Sequence, residues 1–335
     1  MKRALDLAQN GQGSVSPNPL VGSVIVHDHQ IIGEGWHQKF GKAHAEVNAI
    51  HSVKNTELLS ESTLYVNLEP CAHYGKTPPC ANLIVDHKIK RVVIANIDPN
   101  PKVAGKGIKI LKDAGIEVIE GIMEKDAFHL NRRFFTSILE KRPYIILKWA
   151  ETKDGFIARK NYDSKWISDE YSRKLVHKWR AEEDAIMVGT NTALYDNPKL
   201  NVRDWEGNDP VRVVLDTRLR LEKDLNLMDG SIPTLCYNLI TDHVEKNLSL
   251  IQLTEKGLLQ EILHDLNNRE IQSLMVEGGA TLLNSFLEAG FWDEARVFSS
   301  MQEFGNGISS PKIEQEPAYI EKLTGDTLYT YYKSK

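Results

Sequence analysis

Four residues in this sequence have the types and spacing to do chemistry together. His44-Ala45-Glu46 is followed downstream by Pro70-Cys71 and then by Pro79-Cys80. Two thiolates and one imidazole form a soft tetrahedral ligand set with a fourth position open, which is the usual way of holding catalytic zinc. Zinc so held lowers the pKa of a coordinated water enough to supply hydroxide near neutral pH. A carboxylate two residues from the histidine can take a proton from that water and pass it to a leaving amine. The implied chemistry is hydrolytic deamination, with His44, Cys71 and Cys80 as ligands of one zinc and Glu46 as the acid/base.

The elements that must position these residues follow from the same stretch. On a regular helix, residues i and i+2 point roughly 200° apart, so His44 and Glu46 can share a site only at a helix start. The sequence places them there, after Phe40-Gly41-Lys42. Cys80 follows Pro78-Pro79 and is expected to open its own helix, where the dipole favours a thiolate. His-x-Glu with a later Pro-Cys-x-x-Cys is the mark of zinc deaminases. This chain departs from it by placing eight residues, Ala72 to Pro79, between the cysteines. The insert is polar (His73, Tyr74, Lys76, Thr77) and reads as a substrate wall. The alternative, a structural zinc site, would need a fourth ligand, which His73 could supply.

Around the motif the first half alternates strand and helix. A hairpin is expected over Val21 to Val26 and Gln30 to Gly35, closed by His27, Asp28 and His29. A helix from about Ala43 to Val53, a strand at Thr63 to Leu68 and a helix from about Cys80 to His87 follow. A strand at Arg91 to Ala95, a helix near Gly107 to Ala114 and a strand at Glu117 to Glu120 come next. A single helix is expected from Lys125 to Leu139. The pattern predicts an α/β sandwich on a mainly parallel sheet. Pro143 then forces a stop, and a domain boundary is placed there, giving domains 1–141 and 142–335. The second half repeats the alternation, with strands at Tyr144 to Trp149, Ala185 to Val188, Val211 to Asp216 and Leu274 to Glu277. The last leads through Gly278-Gly279 into a helix ending near Ala289. Leu221 to Asn268 is the least readable segment.

The bulk properties bound the function. The 335 residues are 41% hydrophobic and 26% charged, enough for two cores. A net charge of −5 and no basic stripe with interleaved aromatics argue against nucleic acid or an anionic membrane as partner. No apolar run has the length of a membrane span. The opening MKRALDLAQNGQG lacks the apolar core of a secretory signal and reads as a short amphipathic helix ended by Gly11. It begins almost at Met1, so a few preceding residues are expected. Three cysteines without an export signal fit a reducing compartment, and the cytoplasm is expected.

A family resemblance rests on these motifs. Ser16-Pro17-Asn18-Pro19-Leu20-Val21-Gly22, Gly33-Glu34-Gly35-Trp36-His37, His44-Ala45-Glu46, Leu68 through Cys80, and Asp98-Pro99-Asn100-Pro101 resemble the bifunctional riboflavin-biosynthesis family RibD. The long gap between Cys71 and Cys80 is that family's own. The second half is similar to the family's reductase domain, through Leu147-Lys148-Trp149-Ala150, Ser164 to Ser168, Arg180-Ala181, Asp184 to Gly189, Asp196-Asn197-Pro198, Val213 to Asp216 and Val276 to Gly279. The resemblance implies a cytidine-deaminase-like α/β/α sandwich followed by a dihydrofolate-reductase-like α/β domain. It implies zinc-dependent removal of the ring 2-amino group from 2,5-diamino-6-ribosylamino-4(3H)-pyrimidinone 5′-phosphate, then NADPH-dependent reduction of the ribosyl chain to ribityl. Asn18, His37, His73 and Lys76 are implied to meet the deaminase substrate. Lys148, Ser164, Arg180, Leu200, Arg203 and Glu277 are implied to meet the reductase substrate. Ala150, Trp166, Thr192, Asp196, Thr217, Gly278 and Gly279 are implied to meet NADPH, and the chain is implied to form a homo-oligomer, a dimer or tetramer.

The residues themselves support part of this. Glu277, two glycines and a helix start make a cradle of backbone N–H groups for phosphate, and no Gly-x-Gly-x-x-Gly is present for a Rossmann site. Arg180 and Arg203 could clamp the substrate phosphate; taken alone, each also reads as a solvated charge, Gly278-Gly279 as a tight turn and Trp166 as core. Where the family usually reads Ser-Leu-Asp-Gly, this chain has Thr152-Lys153-Asp154-Gly155 after Glu151. Two other readings stand beside the bifunctional one: a deaminase with an inactive reductase-like half, and a zinc deaminase of nucleic-acid bases.

Overall fold

Alternating apolar residues on the strands decide which helices cover which face of the first sheet. The structure is a computed structural model that describes residues 1–72, 78–101, 103–164 and 167–334. It divides into two compact units, Met1–Lys141 and Arg142–Lys335. The first contains α1 (Lys2–Gln9), β1 (Gly22–His27), β2 (Gln30–Trp36), α2 (Ala45–Ser52), β3 (Thr63–Leu68), α3 (Cys80–Asp86), β4 (Arg91–Asn96), α4 (Lys106–Asp113), β5 (Glu117–Ile119), α5 (Glu124–Leu130) and α6 (Arg132–Glu140). The sheet order is β2-β1-β3-β4-β5. Ile25, Leu64, Val66, Val92 and Ile94 point to one face, packed with Ala49, Ile50, Ile84, Ile108 and Leu111 from α2, α3 and α4. Val24 and Tyr65 point the other way, against Ala4 and Leu7 of α1.

Two expectations need correction. The sheet is only half parallel: β1 runs antiparallel to both β2 and β3, while β3, β4 and β5 are mutually parallel. The β1–β2 turn is made by Asp28 and His29, both with positive φ, and a two-residue turn can join only antiparallel strands. The single helix expected from Lys125 to Leu139 is two helices meeting at Asn131. The buried Asn131 amide accepts from the Leu20 N–H and donates to the Leu20 carbonyl. It thus satisfies the backbone of the loop before β1 at the cost of helix continuity.

Close backbone approach brings α2 onto the hairpin. A Cβ at Gly35 would lie 2.4 Å from the Ala49 nitrogen and 2.7 Å from the Ala45 oxygen, so only glycine lets the helix that starts at the metal motif sit this near the sheet.

The second unit contains β6 (Tyr144–Glu151), β7 (Phe156–Ala158), α7 (Glu170–Glu182), β8 (Ala185–Gly189), α8 (Thr190–Asp196), β9 (Val211–Leu215), β10 (Thr234–Asn238), β11 (His243–Glu245), β12 (Leu248–Gln252), α9 (Leu258–Asn268), β13 (Ser273–Val276), α10 (Ala280–Glu288), β14 (Glu294–Ser300), β15 (Ile308–Ser309), β16 (Tyr319–Lys322) and β17 (Asp326–Tyr332). Ten strands form one sheet in the order β11-β12-β10-β9-β8-β13-β6-β14-β17-β16, parallel from β12 to β14. Its centre is buried on both faces. Ile145, Leu147, Met187 and Val276 meet α9 and α10 through Ile262, Leu266, Leu283 and Phe286. Ile146, Ile186, Val214 and Met275 meet Val176 and Trp179 of α7. Among the described residues, no helix is long and apolar enough to cross a membrane.

Candidate active sites

Two helix starts and a strand end build the first site. His44 is the N-cap of α2, with extended backbone, and Glu46 lies in the first turn. Leaving the helical path at His44 lets the imidazole and the Glu46 carboxylate share one side. Cys80 is the first residue of α3, and its N–H donates to Cys71 Sγ at 3.2 Å. The ligand atoms of His44, Cys71 and Cys80 all lie within 4.8 Å of one another. His44 Nδ1 is 3.6 Å from Cys71 Sγ and 3.4 Å from Cys80 Sγ. Tetrahedral zinc at ordinary bond lengths holds a thiolate sulfur and an imidazole nitrogen about 3.6 Å apart. The ligand set therefore fits one zinc.

Electrostatics point the same way. A hydrogen bond from Cys80, against the cost of burial, holds Cys71 down at about 4, while Cys80 is pushed up by that same bond and by burial. The two adjacent thiols, Cys71 half-buried and Cys80 buried, oppose each other's ionisation, and a divalent cation is what lets both ionise. Burial raises the Glu46 carboxyl to about 7; the residue is only 3% exposed. A carboxyl poised near neutrality can both accept and return a proton.

Beside the metal ligands, His37 Nδ1 lies 3.0 Å from the Ala43 carbonyl and its Nε2 lies 3.1 Å from Asn18 Nδ2. The carbonyl can only accept, so Nδ1 carries the proton and Nε2 accepts from Asn18. Burial lowers the His37 pKa and keeps the ring neutral. The His37 and His44 rings meet edge-on at 5.5 Å, which brings Asn18 and His37 to the metal site. His73 and Lys76 lie outside the described residues. The third cysteine, Cys236, is core of the second unit, its thiol pushed up to about 12 by burial.

Sequence reasoning assigned no role to Glu69. Its buried carboxylate accepts four backbone N–H groups: Oε2 from Asp98 at 3.2 Å and Gly105 at 2.9 Å, and Oε1 from Gly107 at 2.9 Å and Ile108 at 3.2 Å. The negative charge meets the N-terminus of α4, and Gly107 permits the close approach, since a Cβ there would lie 2.0 Å from the Pro70 oxygen. Glu69 thus fastens the Pro70-Cys71 segment to α4. Glu69→Ala strips four buried donors of their acceptor, each costing about 1–3 kcal/mol if left unsatisfied. The expected result is a clear fall in the first unit's thermal midpoint together with less than one zinc per chain, read by calorimetry and elemental analysis.

The second unit holds a cavity of about 640 Å³. It is lined by Lys148, Ala150, Ser164, Arg180, Thr192, Asp196, Leu200, Thr217, Glu277, Gly278 and Gly279. Arg180 grips Glu277 with two bonds of 2.8 Å, and Lys148 Nζ is 3.9 Å from the same carboxylate. Burial opposes ionisation of Glu277, yet Arg180 and Lys148 hold its carboxyl at about 2. Burial pulls the Lys148 pKa down, with Glu277 opposing. Ser164 Oγ donates to Asp196 at 3.2 Å. Gly278, with φ +123, leads to Gly279, the N-cap of α10.

Arg203 does not line this cavity. Its half-exposed guanidinium faces Asp204 at 3.6 Å, and the Arg203 backbone N–H donates to Nδ1 of buried His177. Trp166 lies outside the described residues. The charges that set this chain apart near β6 are spoken for elsewhere: Glu151 accepts from Trp149 and Lys153 pairs with Glu303. Neither lines the cavity.

Comparison with known proteins matches both halves. Residues 1–96 match the cytidine and deoxycytidylate deaminase zinc-binding region, and residues 143–318 match the RibD C-terminal domain. The chain is 44% identical to the riboflavin biosynthesis protein RibD of Aquifex aeolicus, over 92% of this chain and 88% of the relative. It is 36% identical to RibD of Escherichia coli, over 91% and 88%. A crystal structure from Thermotoga maritima, of a diaminohydroxyphosphoribosylaminopyrimidine deaminase/5-amino-6-(5-phosphoribosylamino)uracil reductase, superposes with a TM-score of 0.91 at 38% identity, covering 100% of this chain and 97% of that one. RibD of Acinetobacter baumannii gives 0.90 at 35%, covering 100% and 98%. A zinc ligand triangle in one unit and a large cavity holding the Lys148–Glu277–Arg180 cluster in the other, carried on a chain that follows these proteins almost end to end, make it a member of the RibD family of bifunctional riboflavin-biosynthesis deaminase/reductases.

Proposed function

We propose that the first unit removes the ring 2-amino group of 2,5-diamino-6-ribosylamino-4(3H)-pyrimidinone 5′-phosphate and the second reduces the ribosyl chain of the product to ribityl. The observation that carries the reading is the His44–Cys71–Cys80 triangle with a nearly inaccessible Glu46 beside it. His44, Cys71 and Cys80 hold zinc, which when bound supplies a water of lowered pKa. Glu46 takes a proton from the attacking water and returns it to the departing amine nitrogen. Asn18 fixes His37, and the two, with His73 and Lys76, hold the pyrimidine.

In the second unit NADPH supplies the hydride. The Gly278-Gly279 turn and the start of α10 would hold its diphosphate through backbone N–H groups, and Ala150, Trp166, Thr192, Asp196 and Thr217 would meet the cofactor. Reduction adds hydride at C1′ and a proton at the sugar oxygen freed when the ring opens. Lys148 Nζ, half-buried and backed by Glu277, is the proton donor. Ser164 and Leu200 complete the sugar pocket. The buried Lys148–Glu277–Arg180 cluster favours a working reductase over an inactive half.

The chain acts on a small phosphorylated pyrimidine rather than on nucleic acid, as a cytoplasmic homo-oligomer. The test is NADPH oxidation with the deaminated intermediate as substrate. Turnover is expected from the full chain, and none would leave a deaminase with an idle second half.

A further inference from the structure

Three cations line the second unit's cavity among the described residues: Lys148, Arg180 and Arg220. Two are matched by one carboxylate. Arg180 and Lys148 both face Glu277, with side chains 11% and 14% exposed against 7% for the glutamate. Neither can turn to a second anion without leaving a buried charge unmatched. Arg220 differs. It is exposed, it follows β9 on the same wall as Thr217, and its Nη2 donates to the neutral amide oxygen of Asn191 at 2.9 Å. Releasing that bond exposes no buried charge, so its guanidinium is available to a ligand anion.

NADPH and NADH share their diphosphate and differ only at the adenosine 2′-oxygen, which carries a phosphate in NADPH and a hydroxyl in NADH. Backbone N–H groups at a helix start serve both cofactors alike, so discrimination needs a side-chain cation. We infer that Arg220 reads the 2′-phosphate and sets the preference for NADPH over NADH. This rests on the reading that places the cofactor diphosphate against Gly278-Gly279. A planar guanidinium meets a phosphate dianion through two parallel bonds but gains little from a hydroxyl. Asn191 holds the fork at the wall until the phosphate replaces it.

Titration calorimetry on the zinc-loaded full chain tests this with NADP⁺, NAD⁺ and 2′,5′-ADP. Losing a charge-assisted bond of about 1.5–3 kcal/mol corresponds to roughly 10–100-fold in Kd. Arg220→Ala is expected to weaken NADP⁺ and 2′,5′-ADP by that factor and to leave NAD⁺ within about twofold. Arg220→Lys should fall between. Equal weakening of NADP⁺ and NAD⁺, or unchanged NADP⁺, overturns the assignment. Gly279→Val separates the two readings, because crowding the diphosphate cradle should weaken both dinucleotides together. If it does so while Arg220→Ala leaves the preference intact, only the role of Arg220 fails. If Gly279→Val changes neither, the placement of the cofactor fails.

Discussion

Glu46→Gln is expected to lower the rate of ammonia release from the diaminopyrimidine phosphate by about 10²–10⁴-fold, the usual worth of a positioned acid/base. The amide keeps the shape of the side chain and can still hydrogen-bond, but it cannot take up and return a proton. Zinc content should stay at one per chain, because Glu46 is not a member of the ligand triangle. NADPH-dependent reduction of the deaminated intermediate should be unchanged, since Glu46 lies in the other unit. His44→Ala or Cys71→Ala should instead lose the metal and the deamination together. Deamination by Glu46→Gln within a few-fold of the parent would show that another group moves the proton.

Glu277→Ala is expected to be the most damaging single change in the second unit. Glu277 is the shared partner of Arg180 and Lys148, and its removal leaves two buried cations uncompensated. Breaking a buried pair in this way costs about 3–5 kcal/mol, and reduction should fall by at least about 10²-fold because Lys148 loses the group that backs it. The loss of stability is measurable by tryptophan fluorescence in denaturant: of the six tryptophans, only Trp36 lies in the first unit. The same ion pairs set an acid limit. The folded-state pKa of Glu277, about 2, lies below the unfolded value of about 4.3. Its contribution to stability is therefore fully present above the unfolded value and is lost as pH falls from there through 2. Glu277→Ala should flatten that part of the acid-denaturation curve; an unaltered curve would show that the cluster contributes little.

What the sequence made legible was local. Two of the three metal ligands announce themselves because they sit at helix starts that nearby residues dictate, His44 after Phe40-Gly41-Lys42 and Cys80 after Pro78-Pro79. Outside Leu221 to Asn268, the strand–helix alternation follows from local patterning in the same way. What escaped depends on partners far along the chain. Glu69 reads as one more motif residue until four N–H groups from 29 to 39 positions later converge on it. Asn131 sits in a helical pattern and breaks the helix to serve Leu20, 111 residues earlier. The unreadable stretch from Leu221 to Asn268 contains β10, buried at every position, and β11, exposed at every position. Neither shows the period-two alternation that marks a strand with one wet face. In the cavity, Lys148, Arg180 and Glu277 follow from family resemblance; their mutual pairing is a property of the folded chain.

The most direct test of the account is a coupled assay of the purified full chain on 2,5-diamino-6-ribosylamino-4(3H)-pyrimidinone 5′-phosphate, with ammonia and NADPH followed in parallel. The account predicts ammonia release without NADPH. With NADPH present, it predicts one NADPH oxidised for each ammonia released and a ribityl product, and both signals should stop when zinc is removed before the first step. NADPH oxidation by zinc-free protein on the undeaminated substrate, or ammonia release that survives loss of the metal, would contradict it.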